Sequence, residues 1–370
     1  MSIVIYVGMD VHTTNYTLSC YTVENDTDFA NVQMEPSVDK VKKYLDKIKA
    51  NYGGNCQFVL GYEAGCLGYS LQRVLAAMGY ECKILAPTTI PSAARERKTD
   101  RRDAKKLARC LAYNTAKYVY IPTKEDEAVK DYVRMVEDRK NAQKIVKQQL
   151  NHLCIRYGKF FDEGSHWTKK HEAWLQKLDL GNQIANEALQ EYLDEYFKGK
   201  DKIDDFMKRI DELAMQDAYE EKVSKLRCIK GIDTYTALSL VVEVGDFNRF
   251  STAGKFAAFL GLVPGEHSSS TDINRLGITK AGNKHLRKLL TESSQSYRGM
   301  NYKKSAALKN RQEGNDPKVI SYADKAAERL TKKFHHMYYK DQKKWNMCVA
   351  ATAREMSCFV WGMMTDHMDA

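Results

Sequence analysis

Ile3-Val4-Ile5-Tyr6-Val7-Gly8-Met9-Asp10 is an apolar run closed by a carboxylate. A run of this kind, broken only by glycine, reads as a central strand buried on both faces. Gln57-Phe58-Val59-Leu60-Gly61 repeats the pattern and leads to Glu63. Outward from this pair the sequence predicts strands over 3–10, 15–22 and near 30–34, a helix over 38–50, the strand 57–61, a helix over 68–78, a strand over 81–85 and a helix over 101–116. An early meander followed by alternating helices and strands is the order of a ribonuclease H-like α/β domain.

The last of these helices opens with Lys98-Thr99-Asp100-Arg101-Arg102-Asp103-Ala104. Its two carboxylates are three residues apart and share one helix face. Asp10 and Glu63 each follow a buried-looking strand, where α/β proteins place their sites. Taken singly, each acid also reads as an ordinary solvated side chain. Together, four acids from three elements form a candidate metal site, because clustered carboxylates repel one another until cations bind. Hard oxygen ligands select Mg²⁺ or Mn²⁺. Two such ions about 4 Å apart activate an attacking oxygen and stabilise the leaving oxygen of a phosphodiester.

The composition agrees with a polyanionic partner. Lys and Arg number 58 against 48 Asp and Glu, a formal charge of +10. At 370 residues two or three domains are expected. The nine cysteines form no Cys-x-x-Cys pair and have no histidine partners at zinc spacing, which points to reduced thiols. No apolar run reaches the length of a membrane span, and a soluble protein of the bacterial cytosol, nucleoid-associated during activity and without a membrane partner, is expected.

From Glu125 to Leu226 the pattern becomes wholly helical. Val129, Val133 and Val136, then Ile145, Leu150 and Leu153, form one stripe; Ile203, Phe206, Ile210 and Leu213 form another. These predict long helices in a hairpin. The hairpin is either an intramolecular bundle or a dimerising, coiled-coil-like connector that lays Arg139, Lys140, Lys144 and Lys147 along nucleic acid. Leu226-Arg227-Cys228-Ile229-Lys230-Gly231-Ile232-Asp233 before the apolar helix Ala237 to Val244 resembles a helix-hairpin-helix, with Asp233 in place of the second glycine. A phosphate-binding turn and a purely structural turn are equally compatible with it. The expected domains are therefore 1–122, α/β and metal-binding; 123–225, the helical connector; and 226–370, mainly helical. The last domain ends in helices near 317–340 and 342–363, whose aromatic residues suit core packing.

Between Pro264 and a basic helix entry lies Gly265-Glu266-His267-Ser268-Ser269-Ser270-Thr271. Lys280, Lys284, His285, Arg287 and Lys288 follow it and suit a phosphate, which a serine hydroxyl can attack when activated. Arg95, Arg97, Lys98, Arg101, Arg102, Lys105 and Lys106 form a second basic cluster around the acids.

Four motifs in combination, Tyr62-Glu63-Ala64, Lys98-Thr99-Asp100 with Asp103-Ala104, Ala258-Phe259-Leu260-Gly261-Leu262-Val263-Pro264 and Thr279-Lys280-Ala281-Gly282-Asn283, resemble the DEDD-type insertion-sequence transposases. These are the insertion-sequence one-ten family, related to the Piv invertase and described as bridge-RNA-guided recombinases. The resemblance runs from Val7 to about Leu290. It implies a RuvC-like domain with Asp10, Glu63, Asp100 and Asp103 as catalytic metal ligands, a helical connector and a transposase domain with a nucleophilic serine. Ser269 matches that serine by its distance from Pro264, with Ser268 and Ser270 as alternatives. The implied partners are donor and target DNA, a structured noncoding guide RNA, and further copies of the chain in a dimer or an active tetramer that shares the acids and the serine between subunits. Two competing readings use the same residues: a structure-selective nuclease directing water instead of serine, and a non-enzymatic nucleic-acid-binding scaffold.

Overall fold

The computed structural model describes residues 3–91, 99–266, 275–299 and 302–368. Two compact units divide the chain, Met1–Ile121 and Pro122–Ala370.

The first unit is built on a five-stranded sheet in the order β3-β2-β1-β4-β5, from β1 (Ile3–Val11), β2 (Tyr16–Thr22), β3 (Thr27–Met34), β4 (Cys56–Glu63) and β5 (Glu81–Leu85). The first three form an antiparallel meander, and β4 and β5 run parallel to β1. Helices α1 (Val38–Asn51), α2 (Ser70–Ala77) and α3 (Asp100–Ala112) complete it. This mixed α/β sheet is consistent with the ribonuclease H-like order that the sequence predicts. Alternation along β1 and β4 sends Ile5, Val7, Met9, Leu60 and Tyr62 into a core with Val41 and Leu45 of α1 and Leu71 and Leu75 of α2. Tyr6, Gly8 and Asp10, with Val59, Gly61 and Glu63, therefore face the opposite side, which α3 covers.

The second unit is helical: α4 (Lys124–Arg156), α5 (Lys169–Gln176), α6 (Gln183–Ala214), α7 (Glu220–Arg227), α8 (Thr234–Val244), α9 (Ala253–Phe259), α10 (Lys284–Ser294), α11 (Ala306–Gln312), α12 (Pro317–His335) and α13 (Trp345–Met364), with a small hairpin of β6 (Pro264–Glu266) and β7 (Arg275–Ile278). The long helices α4 and α6 pair antiparallel, Tyr132 against Phe206 and Gln143 against the Tyr196 carbonyl. Gly199 permits the approach, since a Cβ there would meet the Gln143 side chain at 2.3 Å. Ile145 is 55% exposed, and its neighbour Val146 takes the buried place in the stripe. The boundary expected at 225/226 does not separate compact bodies. Val129, Val133, Val136, Ile210 and Leu213 of the hairpin share one core with α8, α10, α12 and α13, and the far half of the hairpin has its own core around Leu150, Leu189 and Tyr196. Among the described residues no helix is long and apolar enough to cross a membrane.

Candidate metal centre and serine-loop frame

The site at the carboxyl end of β1 is set by what α3 rests on. Gly8 pairs with Ser19 of β2 on one side and Gly61 of β4 on the other, so small residues cross three central strands in one row. A Cβ on Gly8 would lie 2.0 Å from the Ala104 carbonyl oxygen and 2.3 Å from the Ala108 nitrogen; one on Gly61 would meet Leu111 at 2.8 Å. The helix thus lies directly on the strand backbone. Arg109, paired with Asp28 and placed over the Tyr21 ring, fixes its other end to the sheet. Asp100 and Asp103 fall in the first turn of α3, where the helix dipole favours negative charge.

Asp10, His12 and Asp100 offer ligand atoms all within 4.8 Å of one another. His12 Nε2 is 3.3 Å from Asp10 Oδ1, and the Asn15 side-chain amide donates to Asp100 Oδ2 at 3.2 Å. Asp103 and Glu63 line the same cleft, of about 1380 Å³, outside this tight group; Glu63 is exposed at the end of β4. Burial raises the Asp10 pKa above the usual carboxylate range; His12 opposes the rise, and Asp100 and Asp103 reinforce it. That electrostatic state fits a cation: desolvated, mutually repelling carboxylates are relieved by one, and a carboxylate-dominated set suits Mg²⁺ or Mn²⁺.

Arg102, Lys105, Lys106 and Arg109 contribute to the cleft wall. Arg101 is exposed at the start of α3 and is not among the cleft residues. Arg95, Arg97 and Lys98 lie outside the described residues. His12 and Asn15 are the site residues that the sequence reading missed. Strand alternation continued two residues past Asp10 is the signal for His12, whereas Asn15 has none, because it acts from the turn between β1 and β2.

In the second unit Ser268, Ser269 and Ser270 also lie outside the described residues, but the frame on either side of them is defined. The Thr279–Asn283 motif is a tight turn against the Ala258–Pro264 motif. Thr279, Lys280 and Asn283 donate backbone N–H groups to the carbonyls of Val263, Gly261 and Phe259. Gly282 has φ +139°, and a Cβ on it would lie 2.2 Å from the Phe259 oxygen. Asn283 caps α10 with its side-chain oxygen and donates its amide to Glu243. Glu243 is buried and also accepts two bonds from Arg134, at 2.6 and 3.0 Å. Burial pushes the Glu243 pKa up, but Arg134 and Lys130 outweigh it and hold the carboxyl below its usual range.

The expected phosphate ligands divide here. Lys280 and Lys284 are exposed. Arg287 donates to the Leu260 carbonyl at 2.9 Å, and Lys288 pairs with Glu137 and Asn141. His285 is half-buried, its Nε2 without a partner among the described residues. These three serve the frame because α10 turns that face inward. Lys140 and Lys147 of the hairpin likewise lie over the rings of Tyr235 and Trp167. Asp233, φ −93°, is the N-cap of α8 and accepts from the Thr236 N–H, which explains an acid at that turn.

Residues 223–309 match the family described as Transposase IS116/IS110/IS902, and residues 7–155 match a DEDD transposase family. The chain is 33% identical to the putative transposase y4qE of Sinorhizobium fredii, over 90% of this chain and 80% of that one. It is 31% identical to the transposase for insertion sequence element IS1533 of Leptospira borgpetersenii, over 92% of this chain and 98% of that one.

Proposed function

The chain belongs to the IS116/IS110/IS902 transposase family, and from that premise we propose that it cuts and rejoins DNA through a covalent phosphoserine intermediate. Asp10, Glu63, Asp100 and Asp103 are the metal ligands in this reading and Ser269 the nucleophile, with Ser268 and Ser270 beside it. The observation that carries it is the convergence of Asp10 and Asp100, with Asp103 and Glu63 lining the same cleft.

When bound, Mg²⁺ or Mn²⁺ supplies Lewis-acid stabilisation of the charge that develops on the phosphodiester. Arg102, Lys105 and Lys106 offset the charge of the incoming phosphates and position the strand. The serine oxygen forms a bond to phosphorus, the bond from phosphorus to the leaving deoxyribose oxygen breaks, and that oxygen takes up a proton. The serine–phosphate ester conserves the energy of the broken linkage. A hydroxyl of another strand then attacks it, joins the new strand and returns the proton to serine without ATP. His12 and Asn15 position Asp10 and Asp100.

The proposed partners are donor and target DNA, a structured noncoding guide RNA and further copies of the chain, with acids and serine drawn from different subunits. Delegating sequence choice to RNA suits a chain of net charge +10 that needs only phosphate contacts. The test incubates protein purified with its co-expressed element-derived RNA, both DNAs and Mg²⁺, and looks for a protease-sensitive protein–DNA adduct. The adduct is expected for the wild type and lost in Ser269→Ala and in Asp10→Ala. Cleavage that survives Ser269→Ala but not Asp10→Ala would replace this reading with a hydrolytic nuclease.

A further inference from the structure

Thr331-Lys332-Lys333-Phe334-His335-His336-Met337-Tyr338-Tyr339-Lys340-Asp341-Gln342-Lys343-Lys344-Trp345 joins the last two long helices and takes no part in the site described above. Helix α12 does not simply stop. It passes into a π-helical turn over His336–Lys340, a form found often at functional positions, and then into Gln342 at φ 48° before α13 begins. The turn is anchored from within: Tyr338 packs on Phe334 and Trp345, and the Lys343 N–H donates to the Met337 carbonyl at 2.9 Å.

With Tyr338 turned inward, its neighbour Tyr339 is turned out. Tyr339 is 51% exposed, its ring 4.8 Å from the His335 ring and edge-on to that of Tyr338 at 4.9 Å. Around this ring pair the segment 329–344 carries six Lys and Arg against the single acid Asp341. Some of these cations have partners: Arg329 and Lys333 meet Glu355, Lys332 meets Glu328, and His336 and Lys343 meet Asp341. Lys340 and Lys344 are exposed and have no ion pair among the described residues. An outward ring flanked by such cations is the combination that binds unpaired strands, bases stacking on the ring while phosphates meet the ammonium groups. A duplex keeps its base faces covered.

We propose that the turn His335–Lys344 is a contact surface for single-stranded DNA, with Tyr339 as the stacking ring and Lys340 and Lys344 as phosphate contacts. It extends the DNA-processing reading to a second surface, and single strands are what an exchange of strands exposes.

The test measures fluorescence anisotropy of a labelled oligothymidylate with the full chain in EDTA over a range of salt, beside an oligouridylate and a duplex of equal length. Without metal no strand is cut, so failure here leaves the reading of the acids untouched. Tyr339→Ala is expected to weaken oligothymidylate binding roughly 5- to 150-fold, and Tyr339→Phe to retain it. Lys340→Ala with Lys344→Ala is expected to lower the slope of log affinity against log salt by about 1.4, the value for two single-strand phosphate contacts. Unchanged affinity and slope in all variants would overturn the proposal. So would losses confined to the oligouridylate, which assign the surface to RNA, or losses as large on the duplex. Should Tyr339→Ala fail to fold, the lysine pair and the phenylalanine variant still decide the matter.

Discussion

Asp10 is held in an environment that disfavours its own charge, being half-buried and close to Asp100 and Asp103. A divalent ion reverses that penalty only in the folded protein, so metal binding is stabilisation by mass action. Mg²⁺ at about a hundredfold its Kd is expected to add about 2.7 kcal/mol, read as a rise in the melting temperature. Asp10→Asn is expected to remove most of that rise and to lower strand cleavage on the order of 10²- to 10³-fold. A full rise in the variant would show that Asp10 is not a ligand. Glu243 shows the opposite balance, its carboxyl held below the ordinary value near 4.5 by Arg134 and Lys130. The unfolded chain then takes up a proton before the folded one does as pH falls. The stabilisation from Glu243 is complete above about pH 4.5 and declines below it, through the depressed folded value. Glu243→Gln is expected to cost about 2–3 kcal/mol at neutral pH, less than a fully buried pair because Arg134 is half exposed, and to flatten the loss below pH 4.5. Denaturant titrations at pH 7 and pH 4 measure both effects. Single residues were legible in unequal measure. Asp10, Glu63, Asp100 and Asp103 follow from strand ends and helix spacing, but the partners of Glu243 come from α4 and from the turn before α10, a coincidence of three distant segments that no local pattern records.

At the scale of elements, the placement of α3 decides whether two of the four acids can reach the others. Gly8 and Gly61 are visible in the sequence as glycines inside strands. What the sequence withholds is that the two are register partners, with Ser19 completing the row that receives the helix. Gly8→Ala would set a methyl group 2.0 Å from the Ala104 carbonyl oxygen, and neither the strand nor the helix backbone can yield without moving. The helix must lift and carry Asp100 and Asp103 away from Asp10. The expected result is a loss of about 1–3 kcal/mol, typical of overpacking, with loss of strand cleavage. Gly65→Ala is the control: its Cβ would find its nearest neighbour, the Glu63 carbonyl oxygen, at 3.8 Å, so stability should stay within about 0.5 kcal/mol. Chemical denaturation compares the two, and equal stabilities would refute the docking argument. The basic helix entry shows the converse limit. Charge alone nominated Arg287 and Lys288 as phosphate contacts, and only the rotation of α10 reveals that they are taken up by Leu260 and Glu137.

Across the whole molecule, the described apolar residues sort into clusters, each drawn from one unit. One pair of clusters lies on the two faces of the sheet, and another pair lies in the helical unit. A division near residue 122 was readable from the change in period, from alternating strands and helices to long stripes. The expected second division near 225 was not real in packing terms, because α4 and α6 each supply residues to the core that α8, α10, α12 and α13 share. Separate cores make separate cooperative transitions the expectation, since two-state behaviour belongs to a single core rather than to a chain. Calorimetry of the full chain should resolve two transitions that answer to different perturbations. Mg²⁺ should raise the one belonging to Met1–Ile121, where Asp10 and Asp100 lie, and leave the other in place. Glu243→Gln should lower the one belonging to Pro122–Ala370 by about 4–12 °C, from 2–4 °C per kcal/mol in a unit of this size, and leave the first in place. One transition that moves with both perturbations would mean that the units unfold as one body.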